Sequence, residues 1–125
     1  MRVIIAGCRD FSDYEFISYN LKEHPWTCVG GPLEEFIYGK ARGVDMAAWD
    51  YFYHERQLPE DKIKGFPYES NYGKAGGPIR NRKMAEYGTN LIAFWDGKSR
   101  GTLNMITEAV LANCEVCIIP IPKKK

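Results

Sequence analysis

The sequence predicts a three-layer α/β domain built on a five-stranded, mainly parallel sheet. Three observations carry that expectation. Short runs rich in Val, Ile, Phe and Tyr alternate along the chain with segments of helical period. Most of these runs end on glycine or on a small polar loop that leads into a helix. The length of 125 residues suits one core, large enough to remove roughly two thirds of the unfolded chain's surface from water. Strands alternating with helices imply parallel pairing with helices on both faces.

Residues 2–6 (RVIIA) form a β-branched apolar run that suits a buried strand, and Gly7 ends it. Ser12 or Asp13 caps a helix reaching residue 23, with Phe16, Ile17 and Leu21 at helical spacing and Pro25 as the stop. Residues 26–32 read equally as a short extended piece or as a turn at Gly30-Gly31. Residues 35–39 (EFIYG) are the second strand, and a helix over 44–56 follows, carrying Met46, Ala47, Ala48, Trp49 and Phe52. Residues 62–67 give the third strand and 68–76 a loop of Gly, Ser, Asn and Tyr. Pro78 fits the first turn of a third helix, where its missing N–H costs nothing, and Gly88 caps that helix. Residues 90–95 (NLIAFW) are the fourth strand, 102–113 the fourth helix and 115–121 the fifth strand. The domain is expected over residues 1–122, with Lys123-Lys124-Lys125 as a solvated basic tail.

Bulk composition narrows the function. The formal net charge of +1 lacks the basic excess of a protein that coats duplex DNA. No apolar run reaches the length of a membrane helix. Met1-Arg2 runs directly into the first strand, which predicts a cytoplasmic chain without an export signal, its four cysteines reduced. Cys114 and Cys117 form a CxxC, but with no second pair and no nearby His it reads as structural; no metal site and no cofactor are expected. His24 and His54 fall on helices and build no cluster.

In open parallel sheets ligands bind outside the C-terminal ends of the strands. Four loops are expected at that edge: Gly7-Cys8-Arg9-Asp10, Gly39-Lys40-Ala41-Arg42-Gly43-Val44-Asp45, Gly76-Gly77-Pro78-Ile79-Arg80-Asn81, and Asp96-Gly97-Lys98-Ser99-Arg100-Gly101-Thr102. The last three lead into helix N-termini, where unpaired N–H groups and the helix dipole favour anions. Gly97, Ser99, Gly101 and Thr102 are the best phosphate candidates, although Ser99 and Thr102 also suit plain helix caps. Arg9, Arg42, Arg80 and Arg100 lie within the loops, and arginine suits bidentate phosphate contact. Asp45 either caps its own loop or meets ribose hydroxyls, and Tyr68, Tyr72 and Trp95 either pack locally or stack on a base. The chain has neither G-x-G-x-x-G after its first strand nor G-x-x-x-x-G-K-[ST], so P-loop ATP hydrolysis is not expected.

The combination of AGCRDF, GKARGVDMAAW, GGPIRNRKM and FWDGKSRGT resembles the YspA-type family of the SLOG superfamily. The likeness runs from Val3 to about Pro120, with Cys8 where that family usually has Ser. It implies a Rossmann-like domain, a nucleotide or nucleotide-derived ligand, and a homodimer or larger oligomer. The ligand-binding residues expected are Gly7, Cys8, Arg9, Gly43, Asp45, Gly77, Arg80, Asn81, Gly97, Ser99, Gly101 and Thr102. Related phosphoribohydrolases carry an Arg at the helix start after the third strand and a G-G-x-G-T-x-E-E loop. Arg80 matches the Arg, the candidate catalytic residue, and Gly101-Thr102 matches the G-T, but Asn104 and Met105 stand where the acids would be. The leading expectation is therefore a binding module, a sensor or a sponge. Cleavage of a nucleotide N-glycosidic bond and binding of single-stranded nucleic acid are the alternatives.

Overall fold

In the computed structural model, which describes residues 1–122, the chain forms a five-stranded sheet in the order β3-β2-β1-β4-β5. The strands are β1 (Arg2–Gly7), β2 (Glu35–Tyr38), β3 (Ile63–Gly65), β4 (Asn90–Trp95) and β5 (Glu115–Pro120), and every pairing is parallel, where a mainly parallel sheet was expected. The helices are α1 (Tyr14–Glu23), α2 (Val44–Trp49), α3 (Gly76–Tyr87) and α4 (Arg100–Leu111). The result is a Rossmann-like α/β domain. The expected tail at residues 123–125 lies outside the described residues.

Alternation along β1 divides the core. Val3 and Ile5 pack with Ile17, Leu21, Phe36, Val44, Ala48, Phe52 and Phe94 beneath α1 and α2. Ile4 and Ala6 face the other way, onto Ile37, Met84, Leu91, Ala93, Met105 and Ala109 beneath α3 and α4. Burial on both faces explains why β1 and β4 read as continuous apolar runs. The fully buried Ile, Leu and Phe side chains contribute roughly 1.5–3 kcal/mol each. The edge strands β3 and β5 are only half-buried.

The elements depart from expectation in a few places. The second helix does not run regularly to Arg56: after Trp49 it widens into a π-helical stretch, Asp50–Glu55, closed by the Arg56 N–H on the Tyr51 carbonyl at 2.8 Å. The wider turns seat Tyr51 and Phe52 in the core together and stack Trp49 on Tyr53, centroids 4.8 Å apart. β3 is cut to Ile63–Gly65 because Glu60–Lys62 form a 3₁₀ turn and Pro67 has no N–H for the ladder. The expected loop before α3 holds a 3₁₀ turn over Ser70–Ala75. α4 begins two residues earlier than residue 102 because Ser99 is its N-cap. Gly88 ends α3 in extended backbone, its N–H on the Met84 carbonyl at 2.8 Å. Cys114, just before β5, and Cys117, within it, pack against the cores on opposite faces of the sheet and so do not form a pair. Among the described residues no helix is long and apolar enough to cross a membrane.

The loops after β1 and β2 are locked together through glycine. Gly43, just before α2, adopts φ +81° and ψ −126°, a conformation that glycine alone takes readily. A Cβ there would lie 2.5 Å from the carbonyl oxygens of Cys8 and Arg9, and the neighbouring Val44 N–H donates to the Cys8 carbonyl at 3.3 Å. Gly97 has the same φ of +81° with open space around it. Gly97→Ala should therefore cost about 1 kcal/mol, the backbone preference alone, whereas Gly43→Ala should cost at least about 2 kcal/mol more. Thermal unfolding of the two variants measures this difference, and equal losses would contradict the loop contact.

Candidate functional site

The strand order reverses between β1 and β4, and at their C-terminal ends the loops part to form a cleft of about 760 Å³. That volume lies within the range of small-molecule sites. One wall is the turn after β1 (Gly7, Cys8, Arg9), the opposite wall the start of α4 (Ser99, Gly101, Thr102), and α3 closes the back with Gly77, Arg80 and Asn81. Asp45 lies on the floor, and Tyr68 and Lys74 stand on the rim. Gly43 and Gly97, both expected as contacts, are absent from the lining: Gly43 supports the turn after β1 from behind, and Gly97 shapes the loop after β4. Tyr72 and Trp95 are absent from it too, the Trp95 indole N–H donating to the Ser99 carbonyl at 3.0 Å.

Gly39, just past β2, organises the floor. Its N–H donates to Asp45 Oδ2 at 2.8 Å, and its carbonyl accepts from Arg80 Nη1 at 2.5 Å. Asp45 Oδ2 also accepts the Ala41 N–H at 3.4 Å. A Cβ on residue 39 would lie 2.7 Å from Arg80 Nη1 and 3.1 Å from Asp45 Oδ2, so any larger residue would push the guanidinium from its place. Arg80 is oriented further by donating from Nε to Asn81 Oδ1 at 3.0 Å, while Asn81 Nδ2 donates to Asn104 Oδ1 at 2.8 Å. Asp45 and Arg80 are buried, 5% and 8% exposed. Each still has an atom without a hydrogen bond among the described residues, Asp45 Oδ1 and Arg80 Nη2. No sealed side-chain polar atom there lacks a partner, so both atoms remain open to the cleft.

The start of α4 is arranged differently from the expected cradle. Asp96 Oδ1 accepts the N–H groups of Lys98 and Ser99, both at 2.8 Å. Ser99 Oγ accepts the Thr102 N–H at 3.4 Å and lies 3.1 Å from Thr102 Oγ1. Ser99 and Thr102 thus serve the helix cap. Among the described residues the N–H groups of Arg100 and Gly101 donate to nothing within the protein, so these are the donors left for an anion. Arg9, Lys98 and Arg100 are exposed cations around them. Arg42 is held by Asp10 at 3.2 Å, a solvent-exposed pair of small energetic weight.

Burial sets the proton affinities. It pushes the Cys8 thiol up from its ordinary value, so Cys8 is a protonated wall beside Asp96 and Thr102. It pushes the Arg80 guanidinium down, an effect that Asp45 opposes. Burial raises Asp45 to about 6, against the N–H groups of Gly39 and Ala41 and the charge of Arg80. Asp96 is held below its ordinary value by the Ser99 and Lys98 N–H groups. Among the described residues no three His, Cys, Asp or Glu side chains gather in a way that would hold a metal ion. No protein-family model matches the chain, and neither does any curated protein or any solved structure.

A raised carboxyl pKa means that the folded state holds a proton that the unfolded state has released. Asp45's contribution is fully present below its unfolded value of 3.8 and is lost as the pH rises through about 6. The loss amounts to about 3 kcal/mol above that window. Asp45→Asn keeps an acceptor for the Gly39 N–H and removes the charge. It should be more stable than the wild type at pH 7.5 and lose that advantage near pH 4. Denaturant melts of both proteins across this range isolate Asp45 from Asp96, Glu34 and Glu55, whose lowered values act in the opposite direction.

Proposed function

We propose that the protein binds a nucleotide or nucleotide-derived ligand in this cleft, as a cytoplasmic sensor or sponge. One observation carries the reading: a cleft of ligand size at the reversal of strand order presents two free helix-start N–H groups and a buried guanidinium with an open nitrogen. A phosphate group meets the N–H groups of Arg100 and Gly101 and the charge of Arg80, the combination of dipole, backbone donors and arginine that anions favour. The turn at Gly7, Cys8 and Arg9 forms the facing wall, and Tyr68 at the rim offers a face to a base. The motif likeness to the SLOG superfamily points to the same ligand class. A second reading, cleavage of the N-glycosidic bond, is favoured by the open carboxylate oxygen of Asp45, since Asn104 and Met105 supply no charge of that sign. There Asp45 would stabilise the positive charge that develops on the ribose.

The test is a thermal-shift panel of mononucleotides, NAD, ADP-ribose, cyclic nucleotides and a short single strand, read against two exposed substitutions. A Cβ on Gly101 meets nothing within 4 Å, and a carboxylate in the first turn of a helix is favourable. Gly101→Asp should therefore melt at or above the wild-type temperature and abolish the ligand-induced shift. Arg100→Glu should fold normally and weaken binding at least about tenfold. A ligand present at 100 times its Kd raises stability by about 2.7 kcal/mol, several degrees for a domain of this size. Shifts that survive both substitutions would remove the phosphate from α4. A response to the single strand alone, with strong salt dependence, would favour nucleic-acid binding. Release of free base from a bound monophosphate, lost in Asp45→Asn, would establish turnover.

A further inference from the structure

We infer that Asp45 selects ligands carrying a free ribose diol, so that the site takes 5′-phosphorylated ribonucleotides and rejects their 2′-deoxy counterparts. The inference rests on the nucleotide reading of the cleft and adds the sugar to it. Its basis is the pair of half-used side chains on the floor. Asp45 is 5% exposed; Oδ2 is committed to the N–H groups of Gly39 and Ala41, and Oδ1 is open to the cleft without a partner among the described residues. Arg80, 8% exposed, likewise spends Nη1 on the Gly39 carbonyl and Nε on Asn81, leaving Nη2 open. Both side chains converge on Gly39, where a Cβ would lie 2.7 Å from Arg80 Nη1 and 3.1 Å from Asp45 Oδ2, and both residues line the same cleft, so one ligand can meet both.

The chemistry that completes each atom differs. A carboxylate oxygen accepts only, so Asp45 Oδ1 requires a donor and repels phosphate. It does not lack positive charge, because Arg80 and Arg9 both act on it. What it lacks is a neutral hydrogen-bond donor, and a hydroxyl is the donor that a phosphorylated sugar brings. With phosphate at the α4 start and Arg80 beside it, the group next to the phosphate is the one that reaches the floor. In a 5′-nucleotide that group is the ribose. The base then lies towards the rim and Tyr68, where the sequence provides no buried polar partner to read it. The site should accordingly discriminate strongly at the sugar and weakly at the base.

A ligand lacking the hydroxyl would desolvate Asp45 Oδ1 without replacing its water. Hydrogen bonds to charged groups imply a loss of about 10- to 100-fold in affinity. The experiment is calorimetric titration of the whole chain with AMP and dAMP, GMP and dGMP, and ribose 5-phosphate and 2-deoxyribose 5-phosphate, on the wild type and on Asp45→Asn. In the variant the amide keeps an acceptor for Gly39 and turns a donor towards the cleft. The expected result is a ribo preference of at least about tenfold in every wild-type pair, collapsing to less than about threefold in Asp45→Asn. Equal binding of ribo and deoxy forms by the wild type would overturn the role of Asp45 and leave the nucleotide site standing. A preference that persists in a folded Asp45→Asn would overturn it as well. If no 5′-phosphate in the panel binds, the nucleotide reading itself fails and this inference with it. Should the variant not fold, the wild-type pairs alone decide.

Discussion

The backbone of Gly39 is held by two buried charges of opposite sign, one on each of its flanking peptides, and the architecture of the cleft depends on that clamp. Asp45 comes from α2, on one side of the sheet, and Arg80 from α3, on the other. One takes the N–H of the residue that follows β2, and the other gives to its carbonyl. The two helix layers are thereby joined through the backbone of a single residue at the C-terminal edge of the sheet. A neutral pair could satisfy the same backbone groups at lower desolvation cost, because buried charges give up strong hydration. The charges are retained where each has one atom facing a cleft, and in that position a desolvated charge attracts a ligand strongly. Burying Asp45 is thus a stability cost set at the cleft, which a bound ligand of the proposed kind would offset.

The same clamp explains why glycine recurs around the cleft. Gly39 leaves room for the two charged side chains, and Gly43 lets the backbone of α2 meet the carbonyls of Cys8 and Arg9. Neither position lines the cleft. Gly101, with open space around it, lines the cleft, and its N–H has no acceptor among the described residues. A glycine-rich edge therefore mixes two functions, tight packing of loops and access to backbone donors. The sequence alone shows the glycines and not the division between them.

The order and type of the strands were legible because buried parallel strands must be apolar along their whole length, as RVIIA and NLIAFW are. The cleft walls at Cys8, Arg80 and Asn81 were legible for a related reason: residues just past such strands, or at the helix starts that follow, fall at one edge. The π-helical stretch after Trp49 was not legible, since Tyr51 and Phe52 read equally well as part of a regular amphipathic helix until their joint burial is seen. The role of Ser99 remained open between cap and ligand contact because both use the same hydroxyl. The structure shows the cap, Ser99 Oγ accepting the Thr102 N–H, while Asp96 takes the Lys98 and Ser99 N–H groups and leaves those of Arg100 and Gly101 free at the start of α4.

That arrangement at α4 constrains how any anion can approach. Asp96 places a negative charge, held below its ordinary pKa by the backbone, on the side of the loop nearest Cys8. On the proposed reading, a phosphate therefore approaches from the side of Arg100 and Arg80, away from Asp96. Asp45 lines the same cleft as Arg80 and Arg100, so the group attached to that phosphate is the one proposed to meet its open oxygen. On that reading the repulsive charge at Asp96 and the acceptor at Asp45 act together: the first sets where the anion does not go, and the second sets what its neighbour donates. Specificity of this kind comes as much from the excluded arrangement as from the favoured one.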